Sequence, residues 1–559
     1  MRRVSRREFV QAMGAIGAAA AAGGPASAAA KRRDRPNVVL VLTDDQGYGD
    51  LGCQGNDRIS TPNLDRLCAQ STEFTRFYCS PVCAPTRASL MTGRYNYRTC
   101  AIDTYLGRAM MHPDEVTLAQ MLRAGGYRTG IFGKWHLGDN YPMRPYDKGF
   151  EEALVHKGGG MCQPADPPGG SYFDPVLDHN GAWERHQGYC TDVFTSAAIE
   201  WTGAHRSEPF FCYLATNAPH TPVQVDDRYV EPYRRLGFDE ENAGVLGMVT
   251  NLDENVGRLL DHLDRLGLAD DTIVIFMTDN GPQQARYVCG LRGLKGSVYE
   301  GGIRVPSIWR WPGRFEAGRM IDTLAAHIDL VPTLLDLCGV AAPDGVSLDG
   351  TGLVPWLDGE PAAWPDRTLF FQWHRGDEPE LFRACAAVTQ RDKLVDGREL
   401  YDLEADPGET RDLAAERPER VAELRTAYER WFADVSSTRG YAPPRIVLGS
   451  PHENPTTLTR QDWRGPRAGW APDDVGYWEV EIAEAGDYDI TLRLAQSAEN
   501  TSATLRLGGI RRTEAVAPGA AQLTFRQVPL PAGPGRLEAW IARPDAQVGV
   551  EYVDVRRNR

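Results

Sequence analysis

The chain has 559 residues, with 76 Asp and Glu against 61 Lys and Arg, a formal net charge of -15 and 42% hydrophobic residues. That length accommodates two or three domains with cores of their own, and the ordinary apolar and charged fractions exclude a disordered or fibrous protein. The acidic balance excludes nucleic acid as the main partner, because phosphate backbones are held by clustered Lys and Arg; a small anionic substrate held by a local field stays possible.

The first thirty residues join a basic start, an apolar Ala/Gly stretch and small residues around Ala26-Ser27-Ala28, the pattern of a cleavable leader. Within it Ser5-Arg6-Arg7-Glu8-Phe9-Val10 resembles a bacterial twin-arginine export signal. Residues 1–30 are therefore expected to engage the twin-arginine (Tat) export machinery and be removed. The product would be a periplasmic or extracellular protein without a stable membrane span, an uncleaved anchor being the alternative. Eleven Cys are too sparse for a disulfide scaffold, and no CxxC pair or zinc-like grouping occurs.

Residues 37–42 (NVVLVL) form a continuous β-branched run, as expected of a strand buried on both faces. Thr61 then predicts a helix cap with Pro62 at the first helical position. Runs at 128–132, 210–214 and 272–277 repeat the buried-strand pattern, with amphipathic stretches at 117–123 and 251–266 between them. Strands alternating with helices over 35–365 predict an α/β domain around a largely parallel central sheet. Beyond it, short strands at 387–388, 393–395 and 399–403 and a helix over 418–433 predict a smaller α+β subdomain spanning 366–440. The Pro-containing stretch 441–465 reads as a linker. Strict alternation at 478–482 and 487–494 predicts an appended β-sandwich module over 466–559. Trp470, Trp478 and Trp540 in this module are either sugar-stacking surfaces or core.

Asp44-Asp45 follow the first strand at its carboxyl end, where open α/β sheets place their sites. Two adjacent carboxylates repel each other unless a divalent cation relieves them, a solvated turn being the alternative. Thr278-Asp279-Asn280-Gly281 follows a second buried strand in the same way. Three carboxylates and an amide oxygen suit calcium or magnesium rather than zinc. Cys83-Ala84-Pro85-Thr86-Arg87 places a thiol at a helix start, among free backbone N–H groups and beside a fixed positive charge. Taken alone, Cys83 is either a small buried hydrophobe or a reactive thiol.

Cys83-x-Pro85-x-Arg87 followed by Leu90-x-Thr92-Gly93 resembles the signature of the type I, formylglycine-dependent sulfatases of the alkaline phosphatase-like superfamily. Gly133-Lys134-Trp135-His136, Pro219-His220-Thr221-Pro222 and Gly293-Leu294-Lys295-Gly296 resemble further blocks of that family, and Leu400-Tyr401-Asp402-Leu403 resembles its carboxyl subdomain. The resemblance implies an alkaline phosphatase-like fold. It also implies that a formylglycine-generating enzyme oxidises Cys83 to formylglycine, whose hydrate is the nucleophile. Asp44, Asp45, Asp279 and Asn280 would hold one divalent ion, Ca2+ ahead of Mg2+. Arg87, Lys134 and Lys295 would offset charge on the transferring group, His220 would protonate the departing alcohol, and His136 would take the proton of the second hydroxyl. The implied activity is hydrolysis of sulfate monoesters of sulfated carbohydrates or aryl sulfates. A phosphonate monoester or phosphodiester hydrolase with the same site and a carbohydrate-binding protein with an inactive enzyme-like domain are the alternatives. The Gly- and Pro-rich segment 157–178 is expected to form a loop beside the pocket.

Overall fold

Alternate residues of the first strand face two different cores, and this arrangement organises the larger part of the molecule. Val38, Leu40 and Leu42 pack with Ala88, Leu90, Leu118 and Leu330 on one side; Val39 and Val41 pack with Leu64, Phe194, Leu252 and Val256 on the other. A strand covered by helices on both faces has no solvent side, which is why residues 37–42 carry no polar alternation. The computed structural model describes residues 35–360, 366–494, 501–543 and 546–558; the expected export signal lies outside them. Among the described residues no helix is long and apolar enough to cross a membrane.

The main sheet contains β1 (Asn37–Thr43), β2 (Thr72–Tyr78), β3 (Arg128–Lys134), β4 (Glu152–His156), β5 (Val176–His179), β6 (Ala182–Arg185), β7 (Phe210–Ala215), β8 (Thr272–Thr278), β9 (Arg304–Arg310), β10 (Arg319–Ile321) and β11 (Ala325–Ala326). Its order is β10-β2-β9-β8-β1-β7-β3-β4-β5-β6, with β11 beside β2. The central strands β8, β1, β7, β3 and β4 run parallel. The expectation of a largely parallel sheet holds for that centre, whereas the margins make the sheet mixed. β9 is antiparallel to both β8 and β2, and β5–β6 is a hairpin whose Asn180-Gly181 turn has φ of 51° and 94°, as a two-residue turn with both central residues left-handed requires.

One local expectation is corrected. Thr61 precedes a helix beginning at Pro62, but its hydroxyl accepts the Gly52 N–H (2.8 Å) and donates to Asp65 (3.1 Å) instead of capping. The helix Cys83–Thr92 starts at Cys83 itself, so the thiol stands at a helix start as expected, and every residue in it is buried.

Four antiparallel strands, Leu369–Gln372, Cys385–Val388, Asp392–Val395 and Glu399–Asp402, form a second sheet covered by the helix Pro418–Ser437. The fully buried Lys393 ammonium lies 3.1 Å from Glu300 Oε1 and 2.9 Å from Glu409 Oε1, joining this sheet to the helix that leads into β9.

The carboxyl-terminal part is a pair of facing β-sheets. Segment 441–465, expected as a linker, instead supplies two of its strands. Ile446–Leu448 pairs with Tyr477–Ile482, and Thr456–Thr459 pairs with Tyr552–Arg557. Ile446, Leu448 and Leu458 are buried there; these strands are too short and too close to Pro for their alternation to stand out. Trp478 is fully buried with its indole N–H on Thr459 O (2.7 Å), and Trp540 is also buried, so both belong to the core. Trp470 is 36% exposed. All eleven cysteines are unpaired.

Candidate active site

Strand register brings the two acidic turns together. In the parallel pair β1/β8, Thr43 is opposite Thr278, so Asp44-Asp45 and Asp279-Asn280 leave the sheet side by side. Backbone N–H groups lock the meeting: Asp279 N–H donates to Thr43 O (3.1 Å), Gln46 N–H to the Thr278 side chain at Oγ1 (3.3 Å) and Asp45 N–H to the Asp279 side chain at Oδ1 (3.2 Å). The neighbouring parallel strands end at the same edge. β3 delivers Lys134, and the loop after β7 delivers His220. All these groups sit at the carboxyl ends of parallel strands, where converging strand ends leave a crevice. Gly133, at φ 122°, allows the close approach of β3 and β7, since a side chain there would overlap Ala215 O.

The charged groups interlock, all of them buried except Lys295, which is partly exposed. Lys134 Nζ donates to Asp44 Oδ2 at 2.7 Å and Lys295 Nζ to Asp45 Oδ2 at 2.8 Å. Arg87 binds Asp279 Oδ2 through Nε (3.0 Å) and Nη2 (2.8 Å) and donates to Lys134 O. Asn280 Nδ2 donates to Asp45 Oδ1 at 2.8 Å. Cys83 Sγ and carboxylate oxygens of Asp44 and Asp279 lie within 4.8 Å of one another, as do ligand atoms of Asp44, Asp45 and His220. The ten residues singled out from the sequence therefore form one cluster, with His136 lining the same cleft as Cys83, His220 and Lys295.

Within the acidic cluster, Asp44 Oδ1 and Asn280 Oδ1 are buried and have no hydrogen-bond donor among the described residues. Burial, reinforced by Asp279, pushes the Asp44 carboxyl up to about 8. Burial also opposes ionisation of Asp45, but Lys295, His220 and Lys134 hold it below the usual carboxylate range. Unpaired acceptors beside an unrelieved carboxylate fit a hard cation, and the donors are oxygens of the kind that calcium and magnesium take.

The histidines are assigned by their partners. A carbonyl can only accept, so His136 carries hydrogen on Nε2, which faces Thr104 O at 2.7 Å. Its Nδ1 is left as a buried acceptor without a partner among the described residues. Burial and then Lys134 keep His136 well below the ordinary imidazole range, so the ring is neutral. His220 Nδ1 donates to Thr221 O (2.6 Å), and its Nε2 stands 3.7 Å from Asp45 Oδ2. Burial and Lys295 lower it to about 3. Burial raises the Cys83 thiol, with Lys134 and Lys295 opposing, so the unmodified side chain is a poor thiolate.

Asp45 and His136 hold φ of 62° and 60°. Non-glycine residues adopt this left-handed region at a cost of about 1 kcal/mol, and both do so where a side chain must be aimed at the cleft. The segment 157–178 lies beside the pocket, as expected from its composition: Gly159 and Gln163 line it. An added Cβ would come 2.8 Å from His136 Cε1 at Gly159 and 3.0 Å from His220 Cε1 at Gly160.

The cleft above Cys83 encloses ≈470 Å³. Thr104, Tyr105, Trp373, Arg375 and Trp470 also line it, and none of them was singled out as an active-site residue from the sequence. Only Trp470 carried a sequence signal, as an aromatic of the last module; the others belong to no spaced motif.

The family model described as Sulfatase matches residues 36–340, and that described as N-sulphoglucosamine sulphohydrolase, C-terminal, matches 294–432. Arylsulfatase A of Homo sapiens is 35% identical over 408 residues, covering 66% of this chain and 77% of the relative. N-acetylgalactosamine-6-sulfatase of Canis lupus familiaris is 33% identical over 377 residues, covering 61% and 69%. The crystal structure of Ps i-CgsB in complex with k-i-k-neocarrahexaose superposes with a TM-score of 0.66 at 29% identity, covering 73% of this chain and 95% of that one.

Proposed function

The chain belongs to the sulfatase family and hydrolyses sulfate monoesters, and from that premise we propose which of its residues carry the reaction. Asp44, Asp45, Asp279 and Asn280 hold one divalent ion, Ca2+ ahead of Mg2+, and Cys83 is the residue converted to formylglycine by a formylglycine-generating enzyme. When present, the ion supplies Lewis-acid polarisation and the aldehyde-derived group supplies the nucleophile. Lys134, Lys295 and Arg87 set three fixed positive charges around the place where sulfate charge develops. His136 accepts a proton at Nδ1. His220 faces the leaving oxygen through Nε2, and the negative charge of a bound sulfate raises its basicity so that it can pass a proton on.

The observation that carries this reading is the approach of Cys83 Sγ to Asp44 and Asp279, beside the donor-free oxygens of Asp44 and Asn280. The relatives bear the names of sulfuric ester hydrolases, which favours sulfate over the phosphonate or phosphodiester alternative. A sulfated carbohydrate is the preferred substrate class: one similar enzyme is named for a sugar sulfate, and another similar structure contains a neocarrahexaose. We retain export by the twin-arginine route as part of the proposal, on the strength of residues 5–10. The division into 35–365, 366–440 and a carboxyl-terminal module also belongs to it, supported by the three separate sheet systems.

The test is mass spectrometry of the Cys83 peptide from active enzyme, paired with hydrolysis of an aryl sulfate and an aryl phosphodiester. An aldehyde at position 83 with preference for the sulfate is expected. An intact thiol in fully active enzyme, or preference for the phosphodiester, overturns the assignment.

A further inference from the structure

The cleft has a charged floor and an aromatic rim, and one rim residue comes from the carboxyl-terminal module. Trp470 is held in a turn where Trp463 Nε1–H donates to Gly469 O (3.0 Å) and Ala471 N–H to Asp474 Oδ2 (2.7 Å). Its own indole N–H donates to Arg460 O at 3.3 Å. The ring meets Tyr105 edge to face, with centroids 5.4 Å apart and an interplanar angle of 84°. The Arg375 guanidinium lies 4.4 Å from the Tyr105 centroid and 5.0 Å from that of Trp373. Both Arg375 and Trp373 are tied to Asp103 Oδ1, at 2.6 and 2.9 Å. Trp470, Tyr105, Arg375 and Trp373 thus form a fixed wall beside Cys83 and Lys295.

An indole is costly to leave in water, and the nearby Trp463 and Trp478 are fully buried. Trp470 is pinned on one side and 36% exposed on the other. A preorganised aromatic face complements the positively polarised C–H face of a pyranose ring, while Arg375 offers charge to sulfate or hydroxyl oxygens. Gln163 and Trp470 also line a second cavity of ≈440 Å³, between segment 162–169 and the module, so a ligand longer than one ring has room to continue past the indole.

We propose that Trp470 is a sugar-stacking platform for the residue adjoining the sulfated one, which makes the module a specificity element for sulfated oligosaccharides. This rests on the sulfatase reading of the floor. It is tested with Trp470→Ala and Trp470→Phe on a series of sulfated saccharides from one to four units long. Trp470→Ala is expected to lower kcat/KM for the longer substrates about tenfold more than for the monosaccharide, chiefly through KM, with Phe restoring most of the difference; about 1.4 kcal/mol of stacking corresponds to tenfold. Calorimetric binding of the same saccharides to Cys83→Ala protein separates the two readings, because it needs no turnover. If no sulfate ester is hydrolysed but saccharide binding still depends on Trp470, the floor reading fails and the platform stands. An equal loss on short and long substrates, or saccharide binding indifferent to Trp470→Ala, overturns the platform.

Discussion

His136 and Gln461 share one acceptor: Thr104 O faces His136 Nε2 at 2.7 Å and Gln461 Nε2 at 3.1 Å. A residue of the carboxyl-terminal module is therefore one carbonyl away from the imidazole on the cleft floor. Gly107 N–H donates to Gln461 O (3.0 Å), which fastens the same loop a second time. Gln461→Leu is predicted to loosen His136 by about 1 kcal/mol, a several-fold loss in kcat with little change in KM. Steady-state kinetics across pH check this; an unchanged kcat with only a lowered melting temperature would assign Gln461 a purely structural part.

Calcium should stabilise the folded protein because it relieves Asp44 and gives donor-free oxygens a partner. At a hundredfold excess over Kd, a ligand confined to the native state adds about 2.7 kcal/mol. Thermal melts in chelator and in Ca2+ should differ for the wild type, and that difference should shrink in Asn280→Ala. Identical melts for the wild type would count against the ion site.

Gly159→Ala should impair catalysis without unfolding the protein. The new methyl would sit 2.8 Å from His136 Cε1, too close for the imidazole to hold its place. A tenfold or greater fall in kcat with an unaltered circular dichroism spectrum is expected, since about 1.4 kcal/mol of lost alignment is tenfold in rate. Wild-type turnover by Gly159→Ala would show that the loop yields instead.

Lys393→Met should destabilise by about 3–5 kcal/mol, because it leaves Glu300 and Glu409 buried without their shared cation. Adding Glu409→Gln should recover part of the loss. Urea unfolding of the single and double variants measures both effects; additive losses would contradict the coupling.

His327 predicts the direction of acid sensitivity. It is 1% exposed, with Nε2 on Ser80 Oγ at 3.1 Å, and burial lowers it to about 3. The unfolded chain takes up a proton below about 6.5, whereas the folded one does so only near the lowered value. Stability therefore falls as pH drops through that window, by about 1.4 kcal/mol per unit at most. His327→Gln should flatten the fall in urea midpoint between pH 6 and 4; an equally steep fall would place the sensitivity elsewhere.

The two acidic turns of the floor are legible because they follow buried strands whose apolar runs are unmistakable, whereas Lys134, His136, His220 and Lys295 are legible only through blocks that resemble the sulfatase family. Thr43 opposite Thr278 turns that linear pattern into a spatial one. The left-handed turns at Asp45 and His136 were not legible, since L-residues rarely adopt them and tertiary contacts alone hold them. The rim was also hidden. Tyr105, Trp373, Gln461 and Trp470 come from three distant stretches, and no periodicity links them. The strands within 441–465 are not legible in the sequence, because three or four residues give too short an alternation to register.

Mounting the wall on a different part of the chain from the reactive floor has a consequence for anyone trimming this enzyme. A version cut at residue 440 would retain every charged side chain near Cys83. It would also strip the backing from the 104–108 loop and open one flank of the crevice to bulk water. Such a fragment would be a blunter tool, less choosy about what hangs from the ester.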